Sequence, residues 1–152
     1  MKFTYYPGCS LESTAKEYDM SMREVFKALD IELSELDDWN CCGSSVVSST
    51  GPLLSLALSA RNLAISENGD LDVVVPCPEC YLNLWKTRES IKADSGMLDE
   101  VNRTLEGTDL KLQGSVDIKH PVYVLVNDLG LEKLKEKVVK PLEGLEVVPY
   151  YG

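Results

Sequence analysis

Hydrophobic positions in the first half of the chain follow two different periods. Residues 2–6 and 31–36 are short segments with aromatic, β-branched or alternating apolar positions, and residues 71–75 are apolar except for Asp72, so all three predict strands. Between the first two, apolar residues recur every three or four positions from 12 to 29, which predicts an amphipathic helix. Residues 53–66 are rich in leucine and alanine on nearly every side and predict a largely buried helix.

The second half of the chain continues this alternation. The pattern predicts, in order, a helix over 81–93, a partly helical polar stretch over 97–114, a short strand over 116–118, two helical pieces over 121–126 and 131–139 broken at 128–130, and a last strand over 145–148. Strands that alternate with helices predict an α/β fold with a mostly parallel sheet flanked by helices.

Every cysteine of the chain follows a predicted strand. Cys9 follows the first strand, Cys41 and Cys42 follow the second, and Cys77 and Cys80 follow the third. Because the carboxyl ends of parallel strands meet at one edge of a sheet, we expect the three loops to converge. The sequence therefore predicts a single site with five thiols, on loops at the carboxyl ends of three strands.

Composition narrows the classes of partner. The chain has 152 residues, a formal net charge of −10 and 44% hydrophobic residues, as is typical of a globular domain, and the negative charge argues against nucleic acid as a partner. No segment approaches the roughly 18 apolar residues of a membrane span, and the first residues lack the apolar run of a signal peptide. We therefore expect a cytoplasmic location without membrane insertion.

The number and spacing of the cysteines favour a metal–sulfur site. Their pattern is C-x31-C-C-x34-C-x2-C, and an odd number of thiols in a reducing compartment argues against a disulfide framework. Structural zinc and a cubane cluster each take four ligands, whereas five thiolates with two adjacent suit a polynuclear iron–sulfur cluster of another shape. Zinc binding, and metal-free thiol–disulfide chemistry at Cys77 and Cys80, remain open alternatives.

Together these motifs resemble a known family. The Cys41-Cys42-Gly43 signature, the opening Tyr5-Tyr6-Pro7-Gly8-Cys9 and the Cys77-Pro78-Glu79-Cys80 segment are similar to those of the cysteine-rich CCG domain, in particular the N-terminal domain of the heterodisulfide reductase B-subunit. The resemblance implies that the five cysteines bind a noncubane [4Fe-4S] cluster and act in catalysis through it. It also implies one-electron reduction of the CoM-S-S-CoB heterodisulfide of methanogenesis, or of a related disulfide.

The same resemblance implies an oxidoreductase that works within a complex. The expected partners are an iron–sulfur electron-donor subunit, a flavin-containing subunit, a second CCG domain and the disulfide substrate. An electron-relay or zinc-binding CCG module with a role at a subunit interface is the alternative. We expect Gly8 and Gly43 to contribute to cofactor binding, through close backbone approach and amide hydrogen bonds to cluster sulfurs.

The two ends of the chain are similar to each other. Phe3-Thr4-Tyr5-Tyr6-Pro7-Gly8 precedes the first cysteine, and Val147-Val148-Pro149-Tyr150-Tyr151-Gly152 ends the chain. This similarity predicts a CCG domain over 1–144 and the start of a second, truncated repeat over 145–152. Outside the motifs, Trp39 is expected either to pack over the site or to be an ordinary core residue, and nothing in the sequence places His120 near the cysteines.

Overall fold

The computed structural model describes residues 1–149 and contains a four-stranded parallel sheet. Its strands are β1 (Lys2–Tyr5), β2 (Glu32–Glu35), β3 (Val73–Val74) and β4 (Ile118–Lys119), in the spatial order β2-β1-β3-β4. All three neighbouring pairs are parallel. The predicted α/β fold is therefore confirmed, and residues 150–152 of the proposed second repeat lie outside the described part of the chain.

Helices connect and cover these strands. They are α1 (Cys9–Glu12), α2 (Lys16–Ala28), α3 (Ser44–Thr50), α4 (Pro52–Glu67), α5 (Pro78–Ala93), α6 (Ser95–Thr104), α7 (Pro121–Tyr123) and α8 (Leu131–Lys137), with a π-helical segment at Val124–Gly130 between the last two. Proline occupies the first turn of α4, α5 and α7, where its missing N–H costs nothing.

Apolar cores form on both faces of the sheet. On one face, Phe3, Tyr5 and Val74 pack with Met22 and Phe26 of α2. On the other face, the larger core is formed by buried side chains from β3, from the residues directly after β1 and β3, and from the helices α4, α5 and α6: Tyr6, Val73, Val75, Leu63, Leu84 and Val101. Adjacent residues of a strand point to opposite faces, so the neighbouring rings of Tyr5 and Tyr6 enter different cores.

The structure corrects two helix predictions in the first half. The helix expected over 12–29 is interrupted at 13–15, where the Ser13 hydroxyl donates to the Cys9 carbonyl and closes the short α1. Helix α3 was not predicted, because serine, threonine and valine have low helix propensity. Its hydroxyl groups bond back to backbone carbonyls one turn earlier, and its first residue follows the CCG motif directly.

In the second half, one prediction is confirmed and one is wrong. The helical pieces are broken within 128–130 as expected, because Gly130 has φ +89° and ψ 143°, which are not helical values, although the π-helical segment extends the first piece up to this residue. The strand expected over 145–148 is not formed, and no described strand pairs with this segment. Val147 and Val148 are 74% and 92% exposed, so alternating apolar residues alone do not produce a strand without a neighbour to pair with.

A carboxylate fixes the loop that leads into β4. The side chain of Glu67, at the end of α4, accepts hydrogen bonds from the backbone amides of Gln113, Gly114 and Ser115 at 2.6–2.7 Å. Backbone amides bonded to a carboxylate form short, charge-assisted hydrogen bonds. Glu67 therefore connects the helix that borders the CCG loop to the outermost strand of the sheet.

Candidate metal centre at the carboxyl edge of the sheet

Three loops bring the five cysteines to the carboxyl edge of the sheet. Cys9 is the first residue of α1, Cys41 and Cys42 lie in the loop between β2 and α3, and Cys77 precedes α5 while Cys80 lies in its first turn. Cys9 and Cys41 are exposed, Cys77 is partly buried, and Cys42 and Cys80 are buried. The thiols therefore form one group with an inner and an outer side.

The inner side consists of Cys42 and Cys80, whose sulfur atoms lie 3.4 Å apart and share a hydrogen bond. This shared bond lowers the pKa of Cys42 to about 6 and, together with burial, raises the pKa of Cys80 above its ordinary value. Two thiols from different loops are brought together without a covalent bond between them.

The outer side includes Cys9 and Cys41, which interact with each other. The Cys9 residue is exposed, but partial desolvation of its thiol raises the pKa, and the charge of Cys41 and a hydrogen bond with it raise this pKa further. On the neighbouring loop, Cys77 lies near Tyr18 of α2, where burial and the charge of Cys77 raise the pKa of the tyrosine hydroxyl. The exposed cysteines thus extend the group from the inner pair toward solvent.

Gly8 provides the space for the inner pair. Its backbone has φ +73° and ψ 161°, a region that only glycine adopts readily. A β-carbon at this position would stand 2.7 Å from the Cys80 sulfur, which is closer than such atoms can approach. The position of the Cys80 sulfur therefore requires a glycine at position 8.

Gly43 shapes the turn that separates the sulfurs of the adjacent cysteines. Its φ is +90°, and Ser44 follows with φ +50°, so two consecutive residues are left-handed. The Gly43 amide donates to the Cys41 sulfur at 3.4 Å. A β-carbon at Gly43 would lie 3.0 Å from the Val47 β-carbon and 3.2 Å from a Leu58 methyl group, so the turn is also closely packed.

Tyr6 and Trp39 form the apolar wall beside the cysteines. Tyr6 is fully buried, its ring meets the Trp39 ring edge to face at a centroid distance of 5.4 Å, and its hydroxyl donates to the Asn40 carbonyl at 2.8 Å. Burial raises the pKa of Tyr6, and the nearby Cys80, Cys42 and Cys41 raise it further. The hydroxyl therefore remains protonated beside the sulfurs.

Two asparagines contact the CCG loop, and sequence reasoning missed both. Asn62 is fully buried; its amide oxygen accepts from the Asn40 N–H at 2.9 Å, and its amide nitrogen donates to the Asn40 carbonyl at 2.8 Å. Asn83, one turn after Cys80, donates to the Cys42 sulfur at 3.5 Å and to the Ser44 carbonyl at 3.4 Å. An asparagine in a largely buried helix rich in leucine and alanine was the available signal for Asn62.

His120 lies nearer to the cysteine loops than the sequence indicated. Its Nε2 atom is 3.2 Å from the carbonyl of Pro76, which precedes Cys77, and its Nδ1 atom accepts from the Val122 N–H at 3.3 Å. Burial lowers the pKa of His120. The neutral imidazole therefore uses both nitrogens to join the start of α7 to the end of β3.

The donor set suits an iron–sulfur cluster. Five thiols meet at one edge, thiolates are the ligands that such clusters take, and Gly8 leaves room beside Cys80 that any other side chain would fill. Within residues 1–149, no three His, Cys, Asp or Glu side chains are arranged to hold a single metal ion.

Curated relatives span the whole of this chain. A membrane anchor subunit of 8-methylmenaquinol:fumarate reductase from Wolinella succinogenes is 36% identical over 99% of this chain and 52% of its own length. A heterodisulfide reductase B-subunit-like protein from Archaeoglobus profundus is 32% identical over 100% of this chain and 51% of its own length. The B-subunit of the ferredoxin:CoB-CoM heterodisulfide reductase of Methanosarcina mazei is 29% identical over 99% of this chain and 50% of its own length. The chain thus spans about half the length of these relatives.

A solved structure shares the fold. The crystal structure of a hypothetical protein from Helicobacter pylori superimposes with a TM-score of 0.71 over 79% of this chain and 24% of that chain, at 15% identity.

The expected cytoplasmic location is wrong. The relative from Wolinella succinogenes is named a membrane anchor subunit, which overturns an expectation that rested on composition and on missing apolar segments. In the described part of the chain, no helix combines the length and the hydropathy needed to cross a bilayer.

The resemblance deduced from the cysteine motifs is confirmed, since relatives at 29–32% identity are named for the B-subunit of heterodisulfide reductase. A family model described as a cysteine-rich domain, CCG, matches residues 3–85, which is more than half of the chain. The chain therefore belongs to the family of CCG cysteine-rich domains.

Proposed function

We propose that the chain is an iron–sulfur redox unit of a heterodisulfide reductase-type complex. The observation that carries this proposal is the convergence of five cysteines from three loops, with the Cys42 and Cys80 sulfurs only 3.4 Å apart. Relatives named for the B-subunit of heterodisulfide reductase support the same assignment. The substrate in this proposal is the CoM-S-S-CoB heterodisulfide or a related disulfide.

Cys9, Cys41, Cys42, Cys77 and Cys80 would hold a noncubane [4Fe-4S] cluster. When bound, this cofactor supplies electrons one at a time, whereas cleaving a disulfide takes two. The chain's own residues prepare the site. Tyr6 and Trp39 exclude water from the inner side, the Gly43 amide donates to Cys41, and Gly8 allows the backbone to approach closely.

The exposure of the cysteines indicates from which side the proposed centre is accessible. Cys42 and Cys80 are buried against the core, whereas Cys9 and Cys41 face solvent. A disulfide or a partner subunit would therefore reach the centre from the side of α1 and the CCG loop. Redox groups act on a substrate or partner only over short distances, so this side is the one that the proposed reaction requires.

We also propose that residues 1–144 are one CCG domain and that 145–152 begin a second. The chain covers about half of its relatives, and the apolar side chains of Leu145, Val147 and Val148 are 60–92% exposed in the described structure. A second CCG domain, an iron–sulfur electron-donor subunit and a flavin-containing subunit are the partners in this proposal. A gene sequence that continues past Gly152 with a cysteine supports the repeat; a following sequence without cysteines contradicts it.

Anaerobic purification with metal, sulfide and spectroscopic analysis tests the cofactor. We expect about four irons and four sulfides per chain, an electron paramagnetic resonance signal in one oxidation state, and loss of both iron and signal in Cys42→Ser and Cys80→Ser. One zinc per chain without sulfide would instead support a zinc-binding interface module. Disulfide reduction by the metal-free protein would support a thiol–disulfide oxidoreductase that uses Cys77 and Cys80.

A second candidate function is electron relay in a quinol-linked complex. The 36% identical relative, named for 8-methylmenaquinol:fumarate reductase, favours this candidate. Kinetic measurements on the reduced and oxidised centre distinguish disulfide reduction from electron relay. Reoxidation of the reduced centre by a disulfide supports the first, whereas reduction by a menaquinol analogue in the assembled complex, with no reaction toward disulfides, supports the second.

A further inference from the structure

The side chain of Asn83 contacts the CCG loop at two points. Its amide nitrogen lies 3.5 Å from the Cys42 sulfur and 3.4 Å from the Ser44 carbonyl oxygen. A carboxamide nitrogen carries two hydrogens, so one N–H can be directed to each acceptor. These two acceptors lie on either side of Gly43, and Asn83 therefore spans the turn.

This turn needs support from outside the loop. Gly43 has φ +90° and Ser44 has φ +50°, and the left-handed region is strained for a residue other than glycine. The turn determines where the two adjacent sulfurs lie, because Cys41 is exposed while Cys42 is buried. A contact that holds both ends of the turn thus also holds this separation.

Helix α5 places the asparagine where it can do this. Asn83 follows Cys80 by three residues, so both side chains lie on the same face of the helix. Cys80 meets the Cys42 sulfur at 3.4 Å, and Asn83 reaches the same sulfur from one turn further along. The Cys42 sulfur is therefore in contact with two side chains of α5.

We propose that Asn83 is a positioning residue of the cysteine centre, which fixes the Cys42 sulfur through an N–H···S hydrogen bond and thereby raises the reduction potential of the cluster held there. The inference rests on the proposed function. Its physical basis is that an N–H donated to a ligand sulfur withdraws negative charge, which favours the more negative, reduced state of a cluster. The effect is electrostatic and comes in addition to any effect on folding.

Two substitutions test this in the purified, cluster-containing protein. Asn83→Leu keeps a side chain of similar size but removes both donors, and Asn83→Asp keeps the shape while replacing the donors by a charge. We expect the midpoint potential, from a redox titration followed by electron paramagnetic resonance, to fall from wild type to Asn83→Leu and further to Asn83→Asp. Asn83→Gln, which restores a carboxamide, should return part of the change.

Asn127 offers a matched control. It lies on the π-helical segment, is exposed, and donates to the Tyr123 carbonyl at 3.3 Å, so Asn127→Leu and Asn127→Asp make the same chemical changes on another surface. We expect both to leave the potential unchanged. Lower potentials in the Asn83 variants alone support the proposal, as does loss of iron from a folded Asn83→Leu that is recovered in Asn83→Gln.

The opposite results would overturn it. If the Asn83 variants unfold at lower temperature but keep the wild-type potential, the residue only braces the loop through Ser44, and the proposal is wrong while the proposed function stands. A wild-type chain that binds no iron under anaerobic conditions rejects both. If Asn83→Leu does not fold, the comparison of Asn83→Asp with Asn83→Gln decides. Equal midpoint potentials in these two variants would contradict the proposal.

Discussion

The sulfur of Cys80 lies only 2.7 Å from the point where the β-carbon of any residue other than glycine at position 8 would stand. The two residues belong to different loops and meet because β1 and β3 are adjacent parallel strands. The geometry of the cysteine centre therefore depends on a residue that carries no side chain.

Gly8→Ala should destabilise the chain and reduce its metal content. Because φ +73° with ψ 161° is accessible essentially only to glycine, we expect the free energy of unfolding to fall by about 1–3 kcal/mol from backbone strain, and by more from the contact with Cys80. Chemical denaturation and iron analysis measure the two effects. The matched control is Gly107→Ala, at φ +89° with nothing within 4 Å of the added methyl group, which should keep its iron. Equal iron content in the two variants would contradict the assignment.

Asn62→Leu should weaken the attachment of the CCG loop to α4. The substitution removes the reciprocal pair of hydrogen bonds with the backbone of Asn40 and leaves the partly buried Asn40 N–H without its acceptor, which costs about 1–3 kcal/mol. Urea unfolding measures the loss of stability. The exposed Asn68, at the end of the same helix, provides the comparison, and Asn68→Leu should change stability by less than about 0.5 kcal/mol.

Glu67→Gln should loosen the loop before β4. The carboxylate accepts three backbone N–H groups, and hydrogen bonds to a charged group contribute about 1.5–3 kcal/mol, so we expect a loss of about this size. Hydrogen exchange gives a local measure, since the amides of 113–115 should exchange faster in the variant. Glu106→Gln on the exposed surface should leave these amides unchanged. Unaltered exchange in Glu67→Gln would show that the loop is held by other contacts.

Tyr5 should make the folded state sensitive to alkaline pH. Burial raises the pKa of its hydroxyl above the ordinary value of 10.0, and its hydrogen bond to Asp19 raises it further. The folded chain retains this proton, so the stabilisation is complete below about pH 10 and is lost as the pH rises toward the folded pKa, by about 1.4 kcal/mol per pH unit for one group.

Unfolding measured between about pH 9 and 12 checks this expectation. The wild-type chain should lose stability more steeply with rising pH than Tyr5→Phe, because the variant has no hydroxyl to ionise on unfolding. Tyr123→Phe removes the hydroxyl of a half-exposed tyrosine and serves as the control. Parallel pH profiles for wild type and Tyr5→Phe would refute the argument.

Local patterns in the sequence predicted the main elements of the fold. The segment 71–75, apolar except for Asp72, indicated a strand covered on both faces, and Val73, Val74 and Val75 are fully buried. The serine-rich residues 44–50 gave no such signal, since their helix depends on hydroxyl-to-backbone bonds and on packing against α4. The segment 145–148 shows the opposite case, in which a strand pattern finds no neighbour among the described strands.

The sequence by itself determined that this chain is an α/β protein with five thiols at three strand ends, because hydrophobic period and cysteine spacing are local properties. Tertiary structure alone decided which thiols are paired and which are exposed. The Cys42–Cys80 contact, the approach of Gly8 to Cys80 and the two bonds from Asn83 each join segments that are distant in the chain. Such contacts depend on how the strands are ordered in the sheet and how the helices pack on it, and no local pattern of residues encodes that order.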